Sequence, residues 1–416
     1  MNFLLKNLTI LGESSTTNIL IQDGIIQAIG PDISAENAEE KEFNGAIVSS
    51  GWMDADVQVG DPGLEHREDL SSAAKAAAAG GFTAFACQPN TQPVLQSKSE
   101  ILYIKNNSQA LIVDVYPIGA LSHNCEGKEI TEVVDMHHAG AIGFSDGKRS
   151  IQHSGLMLRA LQYVKTVDGI VINRPLDAAI NGEGQIHEGY VSTTLGIKGS
   201  PSLAEEMMIQ RDLYLTAYAE SKLLIAGVST AKGVELIRQA KAEGVQVKAS
   251  VAVLNLLFDE SSLSTFNSNL KVKPYLRSKE DQEALWAGLK DGTIDMIISN
   301  HFPLEEEAKK LEFSYAKFGA IGLETAFAAL HSQLNGRMSS EALIQKLATG
   351  VRQVFGLPIP KIAVGEKANI TIADPSDIWT FKRQNILSKS KNTPFINALF
   401  KGRVLGVVNG IRTHFN

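Results

Sequence analysis

The sequence predicts an α/β protein, a (β/α)8 TIM barrel flanked by a small β-sandwich built from both termini. From about residue 48, short apolar runs rich in β-branched residues alternate with amphipathic helical stretches. Runs that are apolar throughout suit a parallel sheet buried on both faces, and eight βα units close naturally into a barrel. An open doubly wound sheet is the alternative, but no G-x-G-x-x-G follows the first strand.

The candidate elements of the barrel follow one another along the chain. Strands are predicted in AIVSSGWMDADVQV, FTAFACQ, LIVDVYPIGA, AIGFSD, GIVIN, KLLIAGVS, VQVKASVAV and IDMIIS. The helical stretches between them are EDLSSAAKAAAAGG, GKEITEVVDMHHAG, GLMLRALQYVKTV, AEEMMIQRDLYLTAYAE, KGVELIRQAKAEG and SKEDQEALWAGLKDG. Several of these stretches begin with Ser or with acidic residues and end on Gly, as helix boundaries do.

The two ends of the chain have a different pattern. Residues 1–48 and 365–416 contain short alternating strands separated by turns that carry Gly, Asn or Asp. We therefore predict two domains, a composite β-sandwich formed by these two segments and a barrel over residues 49–364.

The composition is that of an ordinary globular protein. Its 416 residues carry a net charge of −7 without long like-charge runs, so nothing points to nucleic acid or to an anionic membrane. Two cysteines, Cys87 and Cys125, offer neither a disulfide framework nor a C-x-x-C metal pair. No apolar run is long enough to span a membrane, and the first residues are too interrupted for a signal peptide, so we expect a cytoplasmic protein.

One stretch, GWMDADVQVGDPGLEHREDL, has the form of an active-site turn. An apolar strand ends there, and a Pro-Gly turn leads into the acidic start of a helix. Because side chains alternate along a strand, Asp56 and Gln58 lie on the same side of it. Such a pair of positions could hold two metal-binding side chains.

This stretch resembles the dihydroorotase signature, in which Gly-Phe-Ile-Asp-x-His-x-His-x-Arg-x-Pro-Gly precedes a Glu-Asp helix start. Further blocks of that family are matched in order by AAAAGGFTAFACQPNTQPV, FSDGK, GVSTAKGVELIRQAKAEG, NLKVKPYLRSKEDQEAL, LKDGTIDMIISNHFP, FGAIGLETA and KSKNTPF. The resemblance is to the longer-chain dihydroorotases of the amidohydrolase superfamily. It implies a barrel with a split β-sandwich, and zinc-dependent interconversion of carbamoyl-aspartate and dihydroorotate in pyrimidine biosynthesis.

The metal and acid–base positions that the resemblance implies hold unsuitable residues. The family's ligand positions fall on Asp56, Gln58, Asp146, Arg174 and Gly227, and its catalytic Asp falls on Asn300. Glutamine is a poor replacement for imidazole, arginine stays protonated, glycine has no side chain, and asparagine has no proton to exchange at neutral pH. We therefore expect no intact catalytic residue, no metal and no other cofactor.

The family's substrate contacts are also largely missing. Gly60, Lys273 and Leu304 stand where the resemblance places substrate-binding residues, and only Asn90 remains. Asn90 could equally bind a ligand carboxylate or cap a turn.

The resulting prediction is a catalytically inactive dihydroorotase homologue, a pseudoenzyme with a structural or regulatory role. Its resemblance to non-catalytic dihydroorotase-like subunits implies aspartate transcarbamoylase as a partner to scaffold, and the family implies a homodimer. The alternative is an active dihydroorotase or cyclic amidase with an altered metal site, zinc included, in which Asp56, Asp146 and His301 carry the chemistry. Against it, an ion pair of the two acids with Arg174 is favoured over a Mg or Mn site, and an inert role is favoured for His301.

Overall fold

The computed structural model describes residues 2–416, and its first five strands lie at the N-terminal end. They are β1 (Phe3–Ile10), β2 (Thr16–Gln22), β3 (Ile25–Gly30), β4 (Glu39–Glu42) and β5 (Ile47–Ser50). β1 pairs antiparallel with β2 and parallel with β4 and β5, and β2 pairs antiparallel with β3. Their apolar side chains, Leu5 and Ile19 among them, pack in a core separate from that of the barrel.

The central part of the chain supplies the next nine strands. They are β6 (Trp52–Val57), β7 (Phe82–Cys87), β8 (Asp114–Pro117), β9 (Ile170–Asn173), β10 (Ile186–His187), β11 (Gly199–Ser200), β12 (Lys222–Ile225), β13 (Val247–Ala252) and β14 (Met296–Ile298). β6, β7 and β8 form one parallel sheet, and β9, β12, β13 and β14 form another. The short β10 and β11 pair only with each other.

Backbone bridges join the two parallel sheets into a closed ring of eight. The place between β8 and β9 is filled by the extended segment 142–145, whose Phe144 forms a parallel bridge to each neighbour. At the other junction, Val57 bridges in parallel to His301, just after β14. The predicted barrel is therefore confirmed, with an irregular fourth strand.

Helices surround this ring and cover its outer face. They are α1 (Leu70–Ala79), α2 (Lys98–Asn107), α3 (Val133–His138), α4 (Ser154–Lys165), α5 (Ala178–Asn181), α6 (Tyr190–Leu195), α7 (Leu203–Ala219), α8 (Ala231–Ala242), α9 (Val253–Leu257), α10 (Lys279–Asp291), α11 (Ala326–Ser332), α12 (Ser340–Gln345) and α13 (Val351–Val354). Each of the six predicted helical stretches overlaps one of them. Capping boxes at Asp69 and Ser278 explain where α1 and α10 begin. Within residues 2–416, none of these helices is long and apolar enough to cross a membrane.

Three C-terminal strands complete the terminal sheet. They are β15 (Asn369–Thr380), β16 (Leu399–Asn409) and β17 (Arg412–Phe415). β15 pairs with β5, so strands from both ends of the chain form one eight-stranded sheet. The predicted first strand is divided at Gly51 between this sheet and the barrel. A Cβ at Gly51 would lie 1.9 Å from Oδ1 of Asn369, so glycine lets the two pack closely.

Candidate functional site

The residues at the implied site positions follow the C-terminal ends of barrel strands. Asp56 is the penultimate residue of β6, Arg174 directly follows β9, Gly227 lies just after β12, and Asn300 lies just after β14. Parallel strands in a barrel share one end, and functional sites of such barrels lie there. The structure therefore brings these positions together at the barrel mouth.

Arg174 is the centre of a bonded cluster at this mouth. Its Nη2 donates to Oδ2 of Asp56 in a close ion pair. Its Nη1 donates to the carbonyl oxygen of Lys273 at 2.9 Å and to Oδ1 of Asn300 at 3.2 Å. Asn300 donates its own Nδ2 to the same carbonyl at 3.0 Å. The side chains of Arg174 and Asp56 are only 16% and 10% exposed, so water screens the pair weakly.

The residues at the family's zinc positions do not fit zinc. The neutral amide of Gln58 donates to the carbonyl oxygens of Val59 and Asn90 at 3.2 and 2.9 Å. Gly227 has a φ of 72°, and a Cβ there would lie 2.6 Å from Cγ of Pro274, so a side chain has no room. Arg174 supplies a fixed positive charge instead of a ligand. Across residues 2–416, no three His, Cys, Asp or Glu side chains converge to hold a metal ion.

The Asp146 carboxylate binds Ser122, whereas Arg174 pairs with Asp56. Its Oδ1 accepts from the backbone N–H of Ser122 at 2.8 Å, and its Oδ2 accepts a close hydrogen bond from the Ser122 hydroxyl. Burial raises the pKa of this carboxyl above its usual range. The predicted ion pair with Arg174 is therefore present for Asp56 but wrong for Asp146, because Ser122 satisfies that carboxylate.

The side chain of Asn90 stabilises a turn by hydrogen bonds to its backbone. Its Nδ2 donates to the carbonyl oxygen of Asp146 at 3.1 Å, and its Oδ1 accepts from the backbone N–H of Lys148 at 3.0 Å. Both ends of the amide are thus used within the protein. Of the two roles left open by the sequence, the structure places Asn90 in the structural one.

His301 is buried behind the mouth. Its Nδ1 accepts from the backbone N–H groups of Gly322 and Leu323 at 3.3 and 3.4 Å, which leaves the proton on Nε2. That Nε2 lies 3.5 Å from Oε2 of Glu68, and both side chains are fully buried. Asp56, Asp146 and His301 therefore have three separate sets of partners, and the structure does not bring them to one point.

A half-buried acid, Glu324, lies close to His301. Its Oε1 accepts from the backbone N–H of Leu387 at 2.6 Å, and Oε2 accepts from that of Ser388 at 3.4 Å. Burial nevertheless raises the pKa of Glu324 to about 7. The folded protein thus binds this proton more tightly than the unfolded chain, in which a glutamate has a pKa of about 4.3.

We predict that Glu324 makes the protein less stable as pH rises. Its contribution to the free energy of unfolding is fully present below the unfolded pKa and is lost as pH rises through the folded pKa of about 7. When the pH is raised from about 5 to about 8, the free energy of unfolding of the parent should fall by ~2 kcal/mol more than that of Glu324→Gln. Urea unfolding at the two pH values measures this difference. The exposed Glu341 supplies the control, Glu341→Gln, which should follow the parent. Parallel pH profiles of the parent and Glu324→Gln would contradict the assignment.

Two cavities open at the mouth on either side of Arg174. The first has a volume of about 360 Å³ and is lined in part by Gly227, Tyr275 and Arg277. The second has about 300 Å³, and Leu304 contributes to its wall. Three cations, Lys148, Arg174 and Lys273, line both cavities.

The resemblance placed Arg174 and Lys273 at site positions, but sequence reasoning missed Lys148, Arg67 and Lys317. Desolvation by the surrounding protein, and then the positive charges of Arg67 and Arg174, lower the pKa of Lys148 to about 7. Burial and Arg174 also lower the pKa of Lys273. A signal was present in FSDGK, where a lysine stands beside the single acid of the family's FSDDG block. The contributions of Arg67 and Lys317 had no such signal, because distant loops bring them to the mouth.

Gly60 is fixed in a tight turn. Its N–H donates to the carbonyl oxygen of Glu68 at 2.9 Å, and its carbonyl oxygen accepts from Leu64 at 2.5 Å. A Cβ at Gly60 would lie 2.1 Å from the Leu64 oxygen and 2.7 Å from the Glu68 oxygen. This backbone has no room for the family's arginine.

Comparison with known proteins identifies the family. The family model described as "Dihydro-orotase-like" matches residues 45–233. A dihydroorotase of Ruminiclostridium cellulolyticum is 39% identical over 410 residues, which cover 97% of this chain and 96% of the relative. A dihydroorotase of Pelotomaculum thermopropionicum is 39% identical over 418 residues, covering 99% and 98%. The L-hydantoinase (dihydropyrimidinase) of Arthrobacter aurescens superimposes with a TM-score of 0.87 at 26% identity, covering 99% of this chain and 95% of the other. The chain belongs to the dihydroorotase family.

Proposed function

We propose that this chain is a non-catalytic member of its family, with a structural or regulatory role in pyrimidine biosynthesis. The cluster of Arg174, Asp56 and Asn300 is the observation that carries the proposal. Hydrolysis of a cyclic amide by the family's chemistry needs a metal-activated water and a base that takes up its proton. Here a guanidinium binds the Asp56 carboxylate, and the position of the base holds an amide that donates to a carbonyl oxygen.

The substitutions at the mouth also fit one another. Asn300 accepts from Arg174, which an aspartate could do as well, but its Nδ2 donates to the Lys273 carbonyl, which an aspartate cannot do. A side chain has no room at Gly60, which is enclosed by backbone oxygens, or at Gly227, which packs against the ring of Pro274. Reversal of a single residue would therefore disturb a satisfied set of contacts without completing a metal site.

We expect no dihydroorotate hydrolysis and no carbamoyl-aspartate cyclisation above the uncatalysed rate. Elemental analysis after incubation with zinc should show less than stoichiometric metal, because the ligand positions do not supply a zinc site. The dihydroorotase of Ruminiclostridium cellulolyticum, purified in parallel, provides the active control. Turnover that follows bound metal and disappears in Asp146→Ala would favour the alternative of an altered but working site.

A protein-binding role has a candidate surface on α7. Leu203, Met207, Tyr214 and Tyr218 are 51%, 49%, 77% and 71% exposed and recur at the spacing of one helix face. Tyrosine and methionine are enriched in protein interfaces, and exposed apolar side chains aligned on one helix face are a patch of the kind that marks an interaction site. We propose that this face binds aspartate transcarbamoylase, the partner implied by the resemblance. A second copy of this chain is the competing occupant.

The double variant Tyr214→Glu/Tyr218→Glu is expected to weaken association with the organism's aspartate transcarbamoylase by about tenfold or more, because two charges would enter the interface. Co-sedimentation at micromolar concentration measures it, and Ile378→Glu on β15 is the control for an exposed apolar residue elsewhere. Sedimentation velocity of the chain alone reports self-association. Clean separation of the unmodified proteins would count against this partner, and loss of only the homodimer would assign α7 to self-association.

A further inference from the structure

The second cavity of the mouth is strongly cationic. Its walls include Arg67, Lys148, Arg174, Lys273 and Lys317. Among residues 2–416, two carboxylates form ion pairs with members of this set. Glu305 pairs with Arg67 at 2.6 Å and with Lys317 at 3.3 Å, and Asp56 pairs with Arg174. Two of five formal positive charges are thus offset, in a chain whose net charge is −7.

Two of these lysines have aromatic rings in place of carboxylate partners. The Nζ of Lys148 lies 3.6 Å from the ring centroid of Phe302, and the Nζ of Lys273 lies 4.7 Å from that of Phe318. Within the described part of the chain, neither ammonium group forms an ion pair. Cation–π contacts stabilise such groups only in part, and neighbouring cations in one cavity repel each other. An anion placed between them would remove that repulsion.

The donors that remain free indicate the class of anion. Three of the five N–H donors of Arg174 are used within the protein, and its unpartnered Nε is buried, so this side chain has no exposed planar fork for a carboxylate. The free donors are the ammonium groups of Lys148 and Lys273, which act as point charges and suit a tetrahedral phosphate. A cavity of about 300 Å³ is large enough for a small ligand.

We propose that the barrel mouth binds a phosphate-type anion between Lys148, Lys273 and Lys317, beside Arg174. Phe302, Leu304 and Phe318 form the wall against which the non-phosphate part of the ligand packs. The adjoining cavity shares Lys148 and Lys273, so a diphosphate extends toward it. This site is independent of whether the chain catalyses a reaction, because it depends on the charge of the mouth and not on a metal.

Calorimetric titration of the full chain with inorganic phosphate and with pyrophosphate tests the site, at low ionic strength and at about pH 6, where Lys148 with its pKa of about 7 is mostly protonated. We expect pyrophosphate to bind more tightly than phosphate, and Lys148→Met and Lys273→Met each to weaken pyrophosphate by about tenfold or more. The control is Lys198→Met, because Lys198 is exposed and lies away from both cavities. Equal weakening in the control would show non-specific charge attraction and overturn the proposal.

A titration with succinate and thermal unfolding also test the proposal. Succinate, a dicarboxylate, should bind at least about tenfold more weakly than pyrophosphate, and equal or tighter binding would overturn the phosphate class. Thermal unfolding without ligand should show Lys148→Met at least as stable as the parent, because a repelled charge is removed. Pyrophosphate should then raise the melting temperature of the parent and of Lys198→Met but not of Lys148→Met. No binding of either phosphate to the folded parent would overturn the site itself.

Discussion

Replacing Arg174 with methionine is expected to lower the free energy of unfolding by about 3–5 kcal/mol. The change leaves the Asp56 carboxylate in a largely buried place without its cation, and it removes a donor from both the Lys273 carbonyl and Asn300. Leaving a buried charge uncompensated costs far more than the net value of the ion pair. Urea unfolding followed by circular dichroism at neutral pH measures the loss.

A matched pair at the surface provides the control. Lys198 and Glu183 form an ion pair whose side chains are 67% and 78% exposed, so Lys198→Met should cost less than about 1 kcal/mol. Adding Asp56→Asn to Arg174→Met should recover part of the lost stability, because no unpaired charge remains. If Arg174→Met cost no more than Lys198→Met, Arg174 would not be needed to neutralise Asp56, and the main support for a non-catalytic mouth would be lost.

The second large effect is expected at Gly60, where even a methyl group should lower the free energy of unfolding by more than about 3 kcal/mol. The Cβ of Gly60→Ala would meet two backbone carbonyl oxygens at 2.1 and 2.7 Å. Backbone atoms cannot move aside as the end of a flexible side chain can, so the turn between β6 and α1 would have to change its hydrogen bonds. Thermal and urea unfolding of the purified variant measure the effect.

Gly30→Ala is the matched control for this substitution. A Cβ at Gly30 meets the side chain of Ile33 at 3.8 Å, an ordinary contact, so the change should lie within about 1 kcal/mol of the parent. Equal stability of the two variants would show that the turn accepts a side chain. Reintroduction of the family's arginine at position 60 would then be possible.

The fold could be predicted from the sequence because apolar runs and helix caps repeat along the barrel region. The segment 142–145 was predicted as a regular strand, but it forms only isolated bridges on either side. The division of the first strand at Gly51 was also not predicted, since it depends on Asn369, a residue more than 300 positions away.

The site was only partly predictable, because side-chain contacts also depend on residues that are far away in the sequence. The resemblance to the dihydroorotase blocks implied that Asp56, Arg174 and Asn300 lie at one mouth, and the structure places them there. The orientation of a side chain depends on partners in other loops, as the contact of Asp146 with Ser122 shows. Within the basic lining, the contributions of Arg67 and Lys317 could not be predicted, because only the folded barrel brings their loops together.

The pairing of β5 with β15 has a consequence for synthesis on the ribosome. Ser50 pairs with Ile370, so the terminal sheet cannot be completed until nearly the whole chain has left the exit tunnel. All eight places of the barrel ring lie between these two strands and are available earlier. During translation, the edge of β5 therefore stays unpaired until β15 is synthesised. An unpaired strand edge of this kind can pair with a strand of another nascent chain.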